Sequence, residues 1–259
     1  MSKGKRFNKE RKTNKKKSRS LFIILLAICV ISIIVIWFNS KKQQEKTHNL
    51  LNNIEIEETE IQESQETRKM LQVRELKNQY EDVVGWLEVP GTNINYPVMQ
   101  GEDNNYYVKH DYKQEYSFDG SIFLHKDYDW TIPSSNLLLY GHNNLNDVMF
   151  AQLLKYKDES FYKQNPIIKF TTPEEDAEYE IISVFLSRVY YKTEQNVFKY
   201  YNFINAENEA EYNEYVKNAK EASLYNIEAT AKYGNQLITL TTCEYSQEDG
   251  RFVVVGRKK

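Results

Sequence analysis

The sequence contains only two cysteines, and they lie far apart in the chain. Cys29 falls within an apolar run, whereas Cys243 lies close to the C-terminus. No disulfide can therefore form within the C-terminal domain, even though an oxidising compartment would permit one. A solitary thiol outside the cytoplasm is a hazard unless it is buried or used, so Cys243 is the first candidate for a functional residue.

The sequence also lacks the motifs that indicate a repeat fold, a metal site or a phosphate-binding loop. The sequence has no internal repeat, no His/Cys cluster with metal-ligand spacing and no glycine-rich phosphate loop, and its acids lack calcium-loop spacing. We therefore expect no metal and no cofactor. Residues 1–20 hold ten of the 34 basic residues, which leaves 24 basic against 36 acidic residues in the rest of the chain. A body with a net charge of −12 is not a nucleic-acid binder by charge.

One long apolar run is present, at Leu21–Phe38, and its 18 uncharged residues are long enough to cross most of a bilayer as a helix. The basic residues before it should stay in the cytoplasm. We therefore expect a cytoplasmic tail at 1–20, a single-pass transmembrane helix at 21–38, an extracellular stalk at 39–66 and a catalytic domain at 67–259. The protein would then be anchored in the cell membrane with its domain outside.

Two alternatives compete with a transmembrane anchor. A cleaved signal peptide is disfavoured because the apolar run exceeds the usual length and no small-residue cleavage site follows it. A lipoprotein would use Cys29, but Ile28 stands where a small residue is needed. Cys29 is better explained as an apolar filler.

The domain is predicted to be mostly β. A helix is expected first, from about Glu66 to Tyr80, because apolar residues recur there at helical spacing. About eight short β-like runs follow, mostly without intervening helices, which favours a closed or nearly closed β-barrel. The runs are Gly85–Val89, Ile94–Val98, Gly120–Leu124, Asn136–Tyr140, Ile167–Thr171, Tyr179–Tyr190, Gln236–Thr242 and Arg251–Gly256.

Two helical insertions are expected to cover the barrel. Asn146 can cap the first and Asn205 the second, because Asn is a favoured N-cap residue. The apolar face of the first would carry Met149, Phe150, Leu153 and Leu154. That of the second would carry Tyr212, Tyr215, Ala219 and Ala222.

Cys243 is predicted to end a strand, because β-branched residues dominate Leu237–Cys243 and a polar stretch follows. Gly250 can take the positive φ of a tight turn, and the next strand would begin at Arg251. The resulting hairpin would bring Arg251 back to the thiol. A guanidinium there can stabilise a thiolate and bind a developing oxyanion. The alternative is a surface Arg251 that pairs with a nearby acid.

A thiol also needs a proton partner, because its ordinary pKa of about 8.5 leaves little thiolate at neutral pH. Of the four histidines, His125 and His142 each follow a predicted strand. His142 is preferred because Gly141 before it allows a close approach. His125 is the fallback.

The stretch Thr239–Cys243, Arg251 eight residues later and the triplet Tyr140–His142 together resemble the signature of the sortases, cysteine transpeptidases of Gram-positive bacteria. The resemblance covers residues 66–259. Cys243–Ser246 and Arg251–Gly256 are similar to class B. The family implies an eight-stranded sortase-type barrel, and an enzyme that cleaves a C-terminal sorting signal of surface proteins after Thr and passes the acyl group to a peptidoglycan amine.

The resemblance also implies a role for each site residue. Cys243 would be the nucleophile, His142 the general acid/base and Arg251 the group that stabilises the transition state. Thr241 and Tyr245 would line the substrate groove. Glu244 departs from the pattern, because class B members often have Asp there; we expect a substrate-side or structural role, with a solvated loop acid as the alternative.

Two other functions remain open at this point. The first is another cysteine peptidase or an L,D-transpeptidase, although papain-like enzymes place Cys before His, and L,D-transpeptidases have His-Gly where Thr241-Thr242 stands here. The second is a non-catalytic, membrane-tethered binding module whose 20 tyrosines supply a recognition surface. That module would not explain an unpaired thiol facing an Arg.

Overall fold

The computed structural model describes residues 34–35, 37–42, 68–132 and 134–259. The predicted tail, Cys29, most of the predicted transmembrane run and most of the stalk lie outside these residues. Within the ranges described, no helix is long and apolar enough to cross a bilayer. The chain divides into two units, residues 1–46 and residues 47–259, and the second contains the domain.

Eight strands in the described part of this domain close into a barrel, in the order β1-β2-β3-β4-β7-β8-β6-β5. Only the pairs β2–β3 and β4–β7 among them are parallel. This confirms the predicted mostly β fold, and closure leaves no exposed sheet edge. The strands are β1 Val83–Glu88, β2 Asn95–Met99, β3 Ile122–Leu124, β4 Asn136–Tyr140, β5 Ile167–Thr171, β6 Asp176–Arg188, β7 Leu237–Cys243 and β8 Gly250–Lys258.

Three α-helices are described around the barrel: α1 Arg68–Gln79, α2 Glu159–Gln164 and α3 Glu209–Glu221. Shorter 3-10 segments occur at Tyr106–Val108, Ala151–Lys157 and Tyr200–Asn202. The predicted first helix is confirmed as α1, and it buries Met70, Val73 and Leu76, the last two in one apolar cluster with residues of β1. Each of these side chains contributes about 1.5–3 kcal/mol by leaving water.

Strand β7 is buried along its whole length except at Cys243, because both of its faces are covered. Thr239, Thr241 and Cys243 are every second residue of β7, so their side chains lie on the same face. The Thr239 hydroxyl lies 3.0 Å from that of Tyr215 in α3, and the Thr241 hydroxyl lies 2.6 Å from that of Tyr200. The insertion between β6 and β7 therefore packs on the face that carries the thiol.

The predicted cap at Asn146 is wrong. The segment after it is the 3-10 helix Ala151–Lys157, which follows Phe150 without a side-chain cap. Asn146 instead donates from Nδ2 to Asp119 Oδ1 at 2.9 Å. The polar side chain that the sequence pattern assigns to a helix start is instead bonded to a residue distant in sequence.

The predicted cap at Asn205 is also wrong. Helix α3 begins at Glu209, and its N-cap is Asn208, whose side chain accepts a hydrogen bond from Glu211 N. Asn205 Oδ1 accepts from Ser135, the residue before β4. The predicted apolar face is confirmed at Tyr212, Tyr215 and Ala219, whereas Ala222 is the exposed C-cap.

Candidate active site

Cys243 and Arg251 occupy directly opposed positions at the end of the β7–β8 hairpin. Opposed residues of an antiparallel pair have Cβ atoms about 4.5–5.5 Å apart. Arg251 also donates through Nη1 to the carbonyl of Gly250 at 2.9 Å, which holds the guanidinium close to the turn. The thiol is free and partly exposed. The hairpin predicted from the sequence therefore forms and places Cys243 and Arg251 opposite each other.

The role predicted for Gly250 in this hairpin needs correction. The residue with positive φ in the turn is Asp249, at 52°, and not Gly250. A Cβ on Gly250 would lie 2.2 Å from the carbonyl oxygen of Glu244. The same two residues are joined by a hydrogen bond from Glu244 N to Gly250 O at 2.9 Å. Glycine is required here for close approach of two backbones.

His142 follows β4, which runs parallel to β7 with Tyr140 opposite Thr241. Continuing this register by two residues brings His142 level with Cys243. The residues on both sides of His142 are tied to β7: Thr242 Oγ1 donates to Gly141 O at 2.7 Å, and Asn143 Nδ2 donates to Cys243 O at 2.9 Å. The structure therefore places His142 beside the strand end that carries the thiol.

Gly141 allows this arrangement because it has no side chain. A Cβ at this position would lie 2.7 Å from the ring of Phe150. The close approach predicted for Gly141 is confirmed, and the atom it accommodates belongs to an aromatic ring that is fully buried.

The imidazole of His142 is held by the backbone. Its Nε2 lies 2.8 Å from the carbonyl oxygen of Val108. A carbonyl only accepts hydrogen bonds, so we assign the proton to Nε2. Nδ1 is then the ring nitrogen that can gain or lose a proton during a reaction.

His125, the fallback partner, is placed elsewhere. Its backbone N donates to Leu138 O at 2.9 Å, and Leu138 pairs with Thr239. His125 is thus level with a residue four positions before Cys243, roughly 13 Å along the strand. It also lies two strands away around the barrel, since β4 separates β3 from β7. Burial lowers the pKa of His125.

Thr241 does not line an open groove. Its side chain is 1% exposed and its hydroxyl is engaged with that of Tyr200, which is equally buried. Tyr200 interacts electrostatically with both Arg251 and Cys243, and burial raises its pKa. Sequence reasoning does not find Tyr200, because no local pattern distinguishes it among 20 tyrosines.

The surroundings of Glu244 indicate a structural role. Its carboxylate is buried and lies 2.7 Å from Lys157 Nζ, a residue of the 3-10 helix Ala151–Lys157. It also accepts from Ser246 N at 3.0 Å. The hydrogen bond from Lys157 is the main reason that the pKa of Glu244 is lowered to about 2. Neither a solvated loop acid nor a direct substrate contact fits this placement.

Tyr245 is placed differently from its neighbour Glu244. Its side chain is 75% exposed, and its hydroxyl donates to Asn143 O at 3.0 Å. Tyr245 therefore lies against the segment that follows His142, with most of its ring open to solvent. This position is compatible with the predicted contact to a substrate.

A cavity of about 620 Å³ lies at the other end of the barrel. It is lined by residues such as Gln236, which precedes β7, and Lys258, which ends β8. Cys243 is roughly 20 Å away along β7. This cavity is therefore not part of the candidate active site. Among the described residues, no group of His, Cys, Asp and Glu is arranged to hold a metal ion.

Comparison with known proteins agrees with this geometry. The family model described as sortase domain matches residues 87–259. The chain is 34% identical over 190 residues to sortase B of Listeria monocytogenes, in a match that covers 72% of this chain and 73% of the relative. The chain belongs to the sortase family.

Solved structures of relatives agree with this family membership. A Staphylococcus aureus sortase B–substrate complex is 27% identical, with a TM-score of 0.68 over 85% of this chain and 94% of that one. A sortase B complexed with triglycine is also 27% identical, with a TM-score of 0.68 over 85% and 95%. This sortase is of class B and is a cysteine transpeptidase. The alternatives of a non-catalytic binding module and of an L,D-transpeptidase are therefore wrong.

In this sortase the three candidate groups come from three different elements. The thiol ends β7, the guanidinium belongs to the second residue of β8 and the imidazole follows β4. Such a set can supply a nucleophile, a cation for a developing oxyanion and a proton carrier. Sequence reasoning missed Val108, which bonds His142, and Asn143, which bonds the Cys243 carbonyl. It also missed Lys157 and Tyr200, which bond Glu244 and Thr241 close to the thiol.

Proposed function

We propose that this sortase cleaves a C-terminal sorting signal of surface proteins after a Thr and transfers the acyl group to a peptidoglycan amine. The observation that carries the proposal is the direct opposition of Cys243 and Arg251 at a strand end, with His142 two residues after the neighbouring strand β4. The relatives solved with substrate and with triglycine support the two reactants, a peptide and an amine.

The first half-reaction forms a thioester. The Cys243 thiolate attacks the carbonyl carbon of the Thr, a C–S bond forms, and the carbonyl oxygen becomes an oxyanion. Arg251 and backbone N–H groups stabilise this charge. His142 donates its Nδ1 proton to the amide nitrogen as the C–N bond breaks, since its Nε2–H is engaged with Val108 O. The leaving group departs as a free amine.

The second half-reaction transfers the acyl group. An amine of the cell-wall precursor attacks the thioester carbon, and neutral His142 accepts the amine proton at Nδ1. The C–S bond then breaks and returns the thiolate. A new amide bond joins the Thr to the acceptor. The site is thereby restored to its starting protonation state.

We also propose that the chain is anchored in the cell membrane by residues 21–38, with the domain outside. The apolar run and the ten basic residues before it support this topology. An anchor of this kind would hold the barrel at the outer face of the membrane, where wall precursors and surface proteins arrive.

The decisive experiment uses the full chain in detergent with fluorogenic peptides of Leu-Pro-x-Thr-Gly and Asn-Pro-x-Thr-Asn type, with and without triglycine. We expect cleavage after Thr and, with triglycine, a product in which Thr is joined to that amine. Cys243→Ala should abolish both, while Ser246→Ala serves as a nearby control that keeps the thiol. Cleavage by the Cys243→Ala variant would contradict the proposed mechanism, and failure to cleave any peptide would contradict the substrate class.

A further inference from the structure

Asp119 is a buried carboxylate outside the three candidate groups. Its side chain belongs to a residue that is 4% exposed, three positions before β3. Oδ1 accepts hydrogen bonds from Asn144 Nδ2 at 2.8 Å and from Asn146 Nδ2 at 2.9 Å. Hydrogen bonds to an ionised acceptor are stronger than neutral ones. Asp119 therefore holds two residues of the loop that directly follows His142.

That loop has an unfavourable backbone. Asp147 and Met149 have φ values of 65° and 52°, in the left-handed region that non-glycine residues rarely adopt. Such conformations persist only where surrounding contacts enforce them. The loop is closed at its base by a hydrogen bond from Phe150 N to His142 O at 2.9 Å. Asp119 supplies contacts at its tip.

The loop also leads directly to the reacting groups. Its base is His142 itself, and Asn143 within it donates to Cys243 O at 2.9 Å. A shift of the loop would therefore move the imidazole relative to the thiol. Misplacement of a catalytic group by about 1 Å can lower a rate by about 100-fold.

The segment that carries Asp119 also lies against the backbone carbonyl that holds His142. Gly120 has a φ of 58°, and a Cβ there would lie 2.5 Å from Val108 O. This is the carbonyl that accepts the Nε2 proton of His142. Asp119 thus bonds to the loop after the imidazole, and its neighbour Gly120 lies against the acceptor of the imidazole proton.

We propose that Asp119 is a positioning residue for the imidazole of His142. It acts through Asn144 and Asn146, which hold the loop 143–149 in the conformation that keeps His142 beside Cys243. The inference rests on the proposed function, because it takes His142 as the acid/base group. It adds a specific requirement, namely that a buried carboxylate remote from the thiol controls catalysis without contact to the substrate.

The test compares Asp119→Ala and Asp119→Asn in the full chain in detergent. For Asp119→Ala we expect kcat for peptide cleavage to fall by about 10- to 100-fold. KM should change by a smaller factor than kcat, because Asp119 itself is buried and the loop reaches the predicted substrate contact only through the hydrogen bond from Tyr245 to Asn143 O. Asp119→Asn should recover most of the activity, since the introduced amide oxygen can still accept both hydrogen bonds.

A second readout follows His142 directly. The chain has only four histidines, so 15N-histidine labelling gives a sparse NMR spectrum in which His142→Gln identifies the His142 signals. We expect one set of ring nitrogen signals in the native chain and broadened or doubled signals in Asp119→Ala. This measurement does not depend on a peptide substrate, so it remains informative if the proposed substrate class is wrong.

Tyr179→Phe is the matched control for stability. It removes the hydrogen bond from the Tyr179 hydroxyl to Gln236 at the far end of the barrel. This variant should lose thermal stability without a change in kcat or in the His142 signals. The inference is overturned if Asp119→Ala keeps native kcat and native His142 signals, or if Tyr179→Phe at a matched loss of stability reproduces both changes.

Discussion

At the scale of single residues, the pair formed by Glu244 and Lys157 makes the free energy of unfolding depend on pH. The buried Glu244 carboxylate has a folded-state pKa of about 2, below its ordinary value of 4.5. A lowered pKa means that the stabilising contribution is fully present above the unfolded-state pKa and is lost as the pH falls through about 2. We predict that Glu244→Gln lowers the free energy of unfolding at pH 7, and that its difference from the native chain shrinks below pH 4.5.

Chemical denaturation of both chains at a series of pH values measures this difference. Glu159→Gln is a suitable control, because Glu159 pairs with Lys163 at 2.9 Å on an exposed helix surface. Exposed pairs contribute little, so this variant should stay near native stability at every pH. If the difference in the free energy of unfolding between Glu244→Gln and the native chain is independent of pH, the stabilisation by Glu244 does not depend on its negative charge.

At the scale of elements, the β7–β8 hairpin depends on Gly250. A Cβ here would meet the Glu244 carbonyl at 2.2 Å, so Gly250→Ala must push the two backbones apart. We predict a loss of about 1–3 kcal/mol in the free energy of unfolding. We also predict a fall in kcat, because the displaced strands carry Cys243 and Arg251. Thermal unfolding and peptide cleavage measure the two effects.

Gly101→Ala is the control for this substitution. Its Cβ would lie 3.3 Å from the nearest heavy atom, in the side chain of Tyr107, which leaves only a slight contact to relieve. This variant should stay close to native in both measurements. A Gly250→Ala variant as close to native as Gly101→Ala would mean that the hairpin tolerates the added atom.

The elements also show which parts of the structure were predictable from the sequence. Strands such as Leu237–Cys243 are encoded locally, by β-branched and apolar runs, and the hairpin that opposes Arg251 to Cys243 follows from their spacing. The helix caps were not predictable, because Asn146 and Asn205 bond to residues distant in sequence. The carbonyl of Val108 and the hydroxyl of Tyr200 were not predictable as site groups either, since only the folded chain brings them to the site.

At the scale of the whole molecule, the division into residues 1–46 and residues 47–259 separates the proposed anchor from the barrel. The barrel closes with its own strands, and α1 at Arg68–Gln79 completes its apolar packing. We therefore predict that a fragment of residues 47–259 folds without detergent and cleaves soluble sorting peptides with a kcat/KM within about twofold of the full chain. Circular dichroism and peptide cleavage measure the two properties.

The same pair of chains tests the anchor. In detergent phase separation the full chain should enter the detergent phase and the fragment of residues 47–259 the aqueous phase, because 18 uncharged residues supply enough apolar surface to hold a protein in a bilayer. In intact cells, protease added outside should remove the domain and leave the basic tail protected. A full chain that stays in the aqueous phase would contradict the proposed anchor and leave the chemistry of the barrel unaffected, since Cys243, His142 and Arg251 all lie in the second unit.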